Sequence, residues 1–275
     1  MKGIFFTSCA LILVVLLNGC APKPFSGTNK LHKKQARSLA KIISTEQTDS
    51  IIADSFKIPS YQVRTTNFGL RKPNYVILHH TAQSSCEKTL QTFTSTPTQV
   101  SAHYLICKDG TLYHLLNDYL RAWHAGAAKW GNETDINSSS IGIEIDNNGV
   151  DSFSTAQINC LMGLLAVLKK KYNIPDANFI GHADVAPGRK VDPNINFPWQ
   201  QLAGQGYGLW FADTTNAILP DNFDAVLALR IIGYDISNIS ATIQAFRRHF
   251  LRSDRTGELT EPEKKVLYLL MQKYM

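Results

Sequence analysis

Apolar and polar positions follow two rhythms along this chain. The run "YVILHH" (75–80), short and apolar after Pro73, has the form of a buried strand. "AHYLIC" (102–107) and "TLYHLL" (111–116) flank "KDG", so they read as a hairpin turning at Asp109 and Gly110. In "SIGIEID" (140–146), Ile141, Ile143 and Ile145 alternate with Gly142, Glu144 and Asp146. That alternation sets one face in the core and Glu144 on the other. The rhythm then lengthens. Ser154-Thr155-Ala156-Gln157 has the form of a capping box, and Ile158, Leu161, Met162, Leu165, Leu168 and Tyr172 follow at helical spacing up to Pro175. "NFIGHAD" (178–184) is another short strand. Strands mixed with helices, including a hairpin, predict an α/β sandwich with a mixed sheet.

The pattern changes after the Gly-rich "GQGYGLW" (204–210). Phe223–Ile232, Ile239–Phe250 and Glu261–Tyr274 read as three helices with Gly233 and Gly257 between them. Few ionisable clusters interrupt them, which predicts a separate small bundle beyond a boundary near residue 206. With 275 residues, 44% of them hydrophobic and 18% charged, the chain can bury a sizeable core in one or two domains. Its net charge of +6 raises the question of nucleic acid. The location of that charge answers it. Residues 1–41 hold 7 of the 28 Lys and Arg and no acid, which leaves 21 bases against 22 acids in the remainder. A near-neutral body has no basic excess to track a phosphate backbone, so nucleic acid is not an expected partner.

The N-terminus accounts for the imbalance. "MKGIFFTSCALILVVLLNGC" opens with Lys2 and continues in an apolar run, Ile4–Leu17. That run is short for a membrane span, which needs about 20 residues, and suits the core of a signal peptide. It ends in Leu17-Asn18-Gly19-Cys20, which resembles the lipobox of bacterial lipoproteins, with Cys20 the lipidated residue and residues 1–20 the signal segment. Ala21 after the cysteine favours the outer membrane, so the expected location is its periplasmic face, anchored by lipid. Residues 21–56 then read as a basic tether whose lysines can lie on anionic headgroups. Without Cys9 and Cys20, three cysteines remain: Cys86, Cys107 and Cys160. An odd number leaves at least one free thiol; Cys86 and Cys107 could pair, but spacing alone does not show it.

The densest chemistry lies in "NFIGHADVAPGRKVDPNINFPW" (178–199), where His182, Asp184, Arg189, Lys190 and Asp192 stand among prolines and a glycine. Taken singly, each has an ordinary reading: a satisfied core histidine, a turn aspartate, a solvated loop cation. His79 and His80 are adjacent on a strand and so point to opposite faces, which lets at most one of them serve a given site. No short metal-ligand motif such as HExxH joins His79 to His182. The residues alone permit a metal site without requiring one.

Six segments in order, "VILHHTA", "SAHYLICKDG", "AWHAG", "SIGIEIDN", "GHADVAPGRKVDP" and "FPWQQL", resemble the zinc-dependent N-acetylmuramoyl-L-alanine amidases (amidase type 2), a family related to peptidoglycan recognition proteins. Within it the chain is most similar to the outer-membrane lipoprotein members. The resemblance implies a mixed central sheet flanked by helices over residues 57–206. "GYDI", "IQAFRRHF" and "TGELTEPE" resemble a three-helix peptidoglycan-binding domain, here residues 207–275, although Arg247 stands where Gln is common. It further implies one Zn2+ held by His79, His182 and Asp192. Three N/O ligands leave a fourth position open, as catalytic rather than structural zinc sites do. Glu144 would activate water, and Lys190 would stabilise the oxyanion. Ala102 stands where phage members of the family carry a catalytic Tyr, which favours a Glu-dependent branch. His124 of "AWHAG" is expected either as a site wall or substrate contact, or as a packed partner of Trp123. The implied activity is hydrolysis of the amide between N-acetylmuramic acid, or its anhydro form, and L-alanine in peptidoglycan and muropeptides. A non-catalytic peptidoglycan-binding lipoprotein on the same fold is the alternative. A plain tether between membrane and wall would leave the amidase segments unexplained.

Overall fold

The computed structural model describes residues 23–44 and 70–275. The signal segment, Cys20 and residues 21–22 and 45–56 of the expected tether lie outside the described residues. The chain divides into two compact units, residues 1–63 and 64–275. In the first, Ser26–Ser44 forms helix α1, so part of the expected tether is helical.

The second unit is built on a five-stranded sheet ordered β3-β2-β4-β1-β5: β1 (Tyr75–His80), β2 (Tyr104–Ile106), β3 (Leu112–His114), β4 (Ser140–Ile145) and β5 (Phe179–Gly181). β2, β4, β1 and β5 are parallel, and β3 closes one edge as the antiparallel arm of the expected hairpin. Its turn depends on Gly110, whose φ of 86° lies in the left-handed region that favours glycine. Cys86 and Cys107 form a disulfide with Cα atoms 5.4 Å apart, joining the start of α2 (Cys86–Thr94) to the end of β2, while Cys160 is free.

Strand parity divides the core in two. Val76, Leu78, Ile141, Ile143, Ile145 and Phe179 face helix α4 (Thr155–Tyr172), which buries Ile158, Leu161, Leu164, Leu165, Leu168 and Tyr172 against them. The capping box at Ser154 and Gln157 starts this helix, and Asn173 in a left-handed conformation ends it. Four shorter helices complete the unit: α2, α3 (Ile136–Ser139), α5 (His182–Val185) and α6 (Trp199–Ala203). On the opposite face, Ile77, Ile180 and Val185 pack with α7 (Ala225–Ile232), α8 (Ile239–Phe246, extended by a π-turn to Leu251) and α9 (Glu261–Tyr274).

The three C-terminal helices match the expected spans, but they do not form a separate bundle. Leu229, Ile232, Phe246, Val266 and Leu267 share one core with Ile77, Trp130, Ile136 and Ile180 of the sheet unit. The Gly-rich break near residue 206 therefore marks a change in sequence character within one compact unit. The environment of β4 also differs from that of a half-exposed strand, with the His124 ring over Gly142 and His79 beside Glu144. Its second face is buried too, so Glu144 is not a solvated strand carboxylate: its side chain is only 12% exposed.

Candidate metal centre

The strand register gathers the site. His79 lies beside Glu144 in the parallel β1–β4 pair, and side chains opposite each other in parallel strands share a face. On the other side of β1, the β5 pairing ends at Leu78 with Gly181, so His182 follows one residue beyond. Glu144, His79 and His182 thus stand in a row at the carboxyl ends of three parallel strands, where open α/β sheets place their ligands. Asp192 arrives on the loop after α5, whose return is fixed by the Ala183 N–H donating to the Asp192 carbonyl at 2.7 Å.

Three buried atoms converge there. His79 Nδ1 and His182 Nδ1 are 2.9 Å apart, and each is 3.0 Å from Asp192 Oδ2. These three residues can hold a metal ion. The far side of each imidazole fixes which nitrogen carries hydrogen. The Ser140 hydroxyl donates to the Ile136 carbonyl at 2.5 Å, so its oxygen is left to accept from His124 Nε2 at 3.2 Å. His124 Nδ1 is then the acceptor for His79 Nε2 at 3.1 Å, which leaves His79 Nδ1 a bare lone pair. His182 Nε2 donates to the Ala125 carbonyl at 3.0 Å, so its Nδ1 is bare as well. Two lone pairs and a carboxylate oxygen at hydrogen-bond distance repel one another unless a cation lies among them. The residues therefore fit a metal, and the outer hydrogen bonds hold the tautomers that such ligands need.

Charge and burial fit the same picture. Burial, then the His182 ring, lowers His79 to a pKa of about 4, so it stays neutral at pH 7. Burial pushes the Asp192 carboxyl up, but its contacts with His182 and His79 more than reverse this, and it remains ionised. Glu144 moves the other way. Burial and then the Asp192 charge raise it to about 8, with Lys190 countering part of the rise. Among the described residues its Oε2 is buried without a hydrogen-bond partner, and Oε1 lies 4.0 Å from His79 Nδ1. A carboxylate so placed can take up and release a proton near neutral pH.

Not every expected residue lies where the sequence put it. His124 is not the packed partner of Trp123: its ring is buried against His79 and above Gly142, while Trp123 is 48% exposed. A Cβ on Gly142 would meet the His124 ring at 2.4 Å, so only glycine fits beneath it. Asn137 Oδ1 fixes this loop by accepting from the N–H groups of His124 and Ala125 at 3.0 and 2.9 Å. His80, on the opposite face of β1, accepts from the Asn194 N–H at 3.1 Å and so steadies the loop carrying Asp192. Asp184 was visible in the sequence only as a member of the cluster. It ties the ligand turn to the C-terminal helices, accepting from Gly181 N at 2.9 Å, from the Tyr234 hydroxyl at 2.7 Å and from His249 Nδ1 at 2.6 Å. His249 in turn stacks on Trp199, with ring centroids 3.9 Å apart.

Comparison with known proteins agrees with this geometry. Residues 69–195 match the family model described as N-acetylmuramoyl-L-alanine amidase. The chain is 33% identical over 230 residues to the N-acetylmuramoyl-L-alanine amidase AmiD of Escherichia coli, covering 72% of this chain and 82% of that one. The 1,6-anhydro-N-acetylmuramyl-L-alanine amidase AmpD of Haemophilus influenzae is 36% identical over 104 residues, 38% of this chain and 56% of AmpD. The structure of E. coli AmiD with anhydro-N-acetylmuramic acid-L-Ala-D-gamma-Glu-L-Lys superposes with a TM-score of 0.67 at 30% identity, covering 78% of this chain and 96% of AmiD. AmpDh3 of Pseudomonas aeruginosa gives the same TM-score and identity over 80% of this chain and 99% of its own.

Proposed function

The chain belongs to the N-acetylmuramoyl-L-alanine amidase family, and from this we propose a zinc-dependent hydrolase of the amide joining N-acetylmuramic or anhydro-N-acetylmuramic acid to L-alanine. One observation carries the zinc reading. His79 Nδ1, His182 Nδ1 and Asp192 Oδ2 meet within about 3.0 Å as three acceptors whose tautomers are fixed from behind. Imidazole nitrogens with a carboxylate oxygen form a donor set suited to zinc. When bound, zinc supplies Lewis acidity at the amide carbonyl and lowers the pKa of water toward neutrality.

The remaining steps belong to the protein. Glu144 takes a proton from the attacking water, a role suited to a carboxylate whose Oε1 lies 4.0 Å from His79 Nδ1. As the C–N bond breaks, Glu144 delivers the proton to the departing amine of L-alanine. Lys190 opposes the negative charge that gathers on the carbonyl oxygen during attack, more in the transition state than in the bound substrate. His124 holds His79 in the tautomer that faces the reaction.

The anhydro-sugar substrate class is supported by relatives whose structures contain such muropeptides, among them AmpDh3 with an anhydromuramic pentapeptide. Lipidation of Cys20 and residence at the periplasmic face of the outer membrane rest on "LNGC" and Ala21. Binding of glycan by residues 207–275 rests on the resemblance alone. The alternative, a binding protein without catalysis, leaves the buried, unpartnered Glu144 Oε2 without a purpose. Incubating purified protein with anhydro-muropeptide, with and without a chelator, tests the proposal. Free peptide and sugar should form only with metal, and zinc should restore activity to the stripped protein. Intact muropeptide under both conditions would overturn it.

A further inference from the structure

Helix α1 is amphipathic in a particular way. At 100° per residue, Lys30, Lys33, Lys34, Arg37 and Lys41 fall in one sector of about 100°, so they share one face of the helix. Leu31, Leu39, Ile42 and Ile43 fall in a sector of about 120° on the opposite side, shared with the polar Thr28, His32 and Gln35. The apolar side chains are open, from 45% exposed at Leu31 to 78% at Ile43, and none of the helix's described residues is buried.

We propose that α1 is a membrane-surface helix that docks on an anionic bilayer, a contact separate from any acyl group on Cys20. Both faces point to the same occupant. The apolar stripe can sink among the acyl chains, while the lysines reach the headgroup layer at its flanks. A helix is only about 10–12 Å across, so the basic face stays within roughly one Debye length of anionic headgroups. Peptidoglycan is the less suitable occupant: its carboxylates would attract the lysines, but it offers the exposed Leu and Ile side chains no apolar phase. The helix would lie along the surface and not across it; among the described residues no helix is long and apolar enough to cross a membrane. It begins six residues after Cys20 in the sequence, within reach of a lipid anchored at the same surface.

The test uses the chain from residue 20 onward with Cys20→Ser, so that no lipid confuses the result. It is mixed with vesicles of phosphatidylethanolamine containing about one quarter phosphatidylglycerol, with phosphatidylcholine vesicles, and with isolated peptidoglycan sacculi. Binding should favour the anionic vesicles and weaken with salt. Replacing Lys33 and Arg37 by Gln should weaken it by roughly tenfold or more, since each basic residue near such a surface is worth about a fivefold factor. Leu39→Gln with Ile42→Gln should weaken it as well, and neither pair should alter turnover of a soluble muropeptide. Equal binding to both vesicle types, no binding, unchanged binding by both variants, or capture by sacculi alone would overturn the proposal. Acyl labelling of the Cys20 protein is read separately, so loss of the anchor and loss of the helix contact are distinguishable.

Discussion

Replacing Glu144 by Gln separates what the carboxylate costs the fold from what it contributes to chemistry. In the metal-free protein, burial and then Asp192 raise this group from 4.5 to about 8. A carboxyl that binds its proton more tightly when folded favours folding at low pH and loses that advantage as pH rises. Across this window the loss is ~1.4 kcal/mol per pH unit, which amounts to about 3 kcal/mol at pH 7 and at most about 5 kcal/mol above pH 8. The amide of the variant does not titrate. Stripped of metal, the Glu144→Gln protein should therefore melt higher than its parent at neutral and alkaline pH, and the two should converge near pH 5. For a body of this size the gap at pH 7 corresponds to about 6–12 °C. Zinc should narrow the gap, because a cation beside the carboxylate offsets its cost in the parent only. Calorimetry from pH 5 to 9, with and without chelator, reads all of this. The same variant should hold zinc yet turn over at least ~10²-fold more slowly. A stability gap that does not grow with pH, or near-normal turnover with zinc bound, would refute the assignment.

His182→Ala should remove metal and activity together; stoichiometric zinc in the purified variant would show that the ligands lie elsewhere. Lys190→Ala should lower kcat with little change in KM, and a variant that only binds substrate more weakly would make Lys190 a recognition residue. His249→Ala removes a buried bond to Asp184 and should cost about 1–3 kcal/mol while speeding zinc loss to a chelator; an unchanged zinc off-rate would restrict His249 to stability. Replacing Cys86 and Cys107 by Ser opens a 21-residue link and should cost about 3 kcal/mol, read as a lower melting temperature in non-reducing conditions.

Much of this architecture was legible because local pattern determines it. The alternation of Ile141, Ile143 and Ile145 placed Glu144 on the face away from the isoleucines, and the capping box at Ser154 located the start of α4 to the residue. Two features were not legible, for one shared reason. An amphipathic helix declares that something covers its apolar face but not what, so α7, α8 and α9 read as a bundle closed on itself. Their true partner is the sheet face carrying Ile77 and Ile180. The burial of Glu144 went unseen for the same cause, since a strand cannot announce that both of its faces are covered. His124 stood out through its motif, yet its role depends on the direction of one hydroxyl, which Ser140 takes from the Ile136 carbonyl four residues back.

Asp184 carries the argument furthest. Nothing in the spacing of "GHAD" points to Tyr234 or His249, which lie 50 and 65 positions further along the chain. Yet these three side chains are buried together, two residues from a metal ligand, and Arg252 adds a bond to the Ile195 carbonyl on the same loop. The loop bearing His182 and Asp192 has little regular structure of its own, so its order must come from what it packs against. One side is braced by His80 through Asn194, and the other by the C-terminal helices through Asp184. Those helices are therefore part of the frame that fixes the ligand geometry, whether or not they also touch glycan. Substitutions in their buried face should be felt at the metal, while substitutions on their outer face should not.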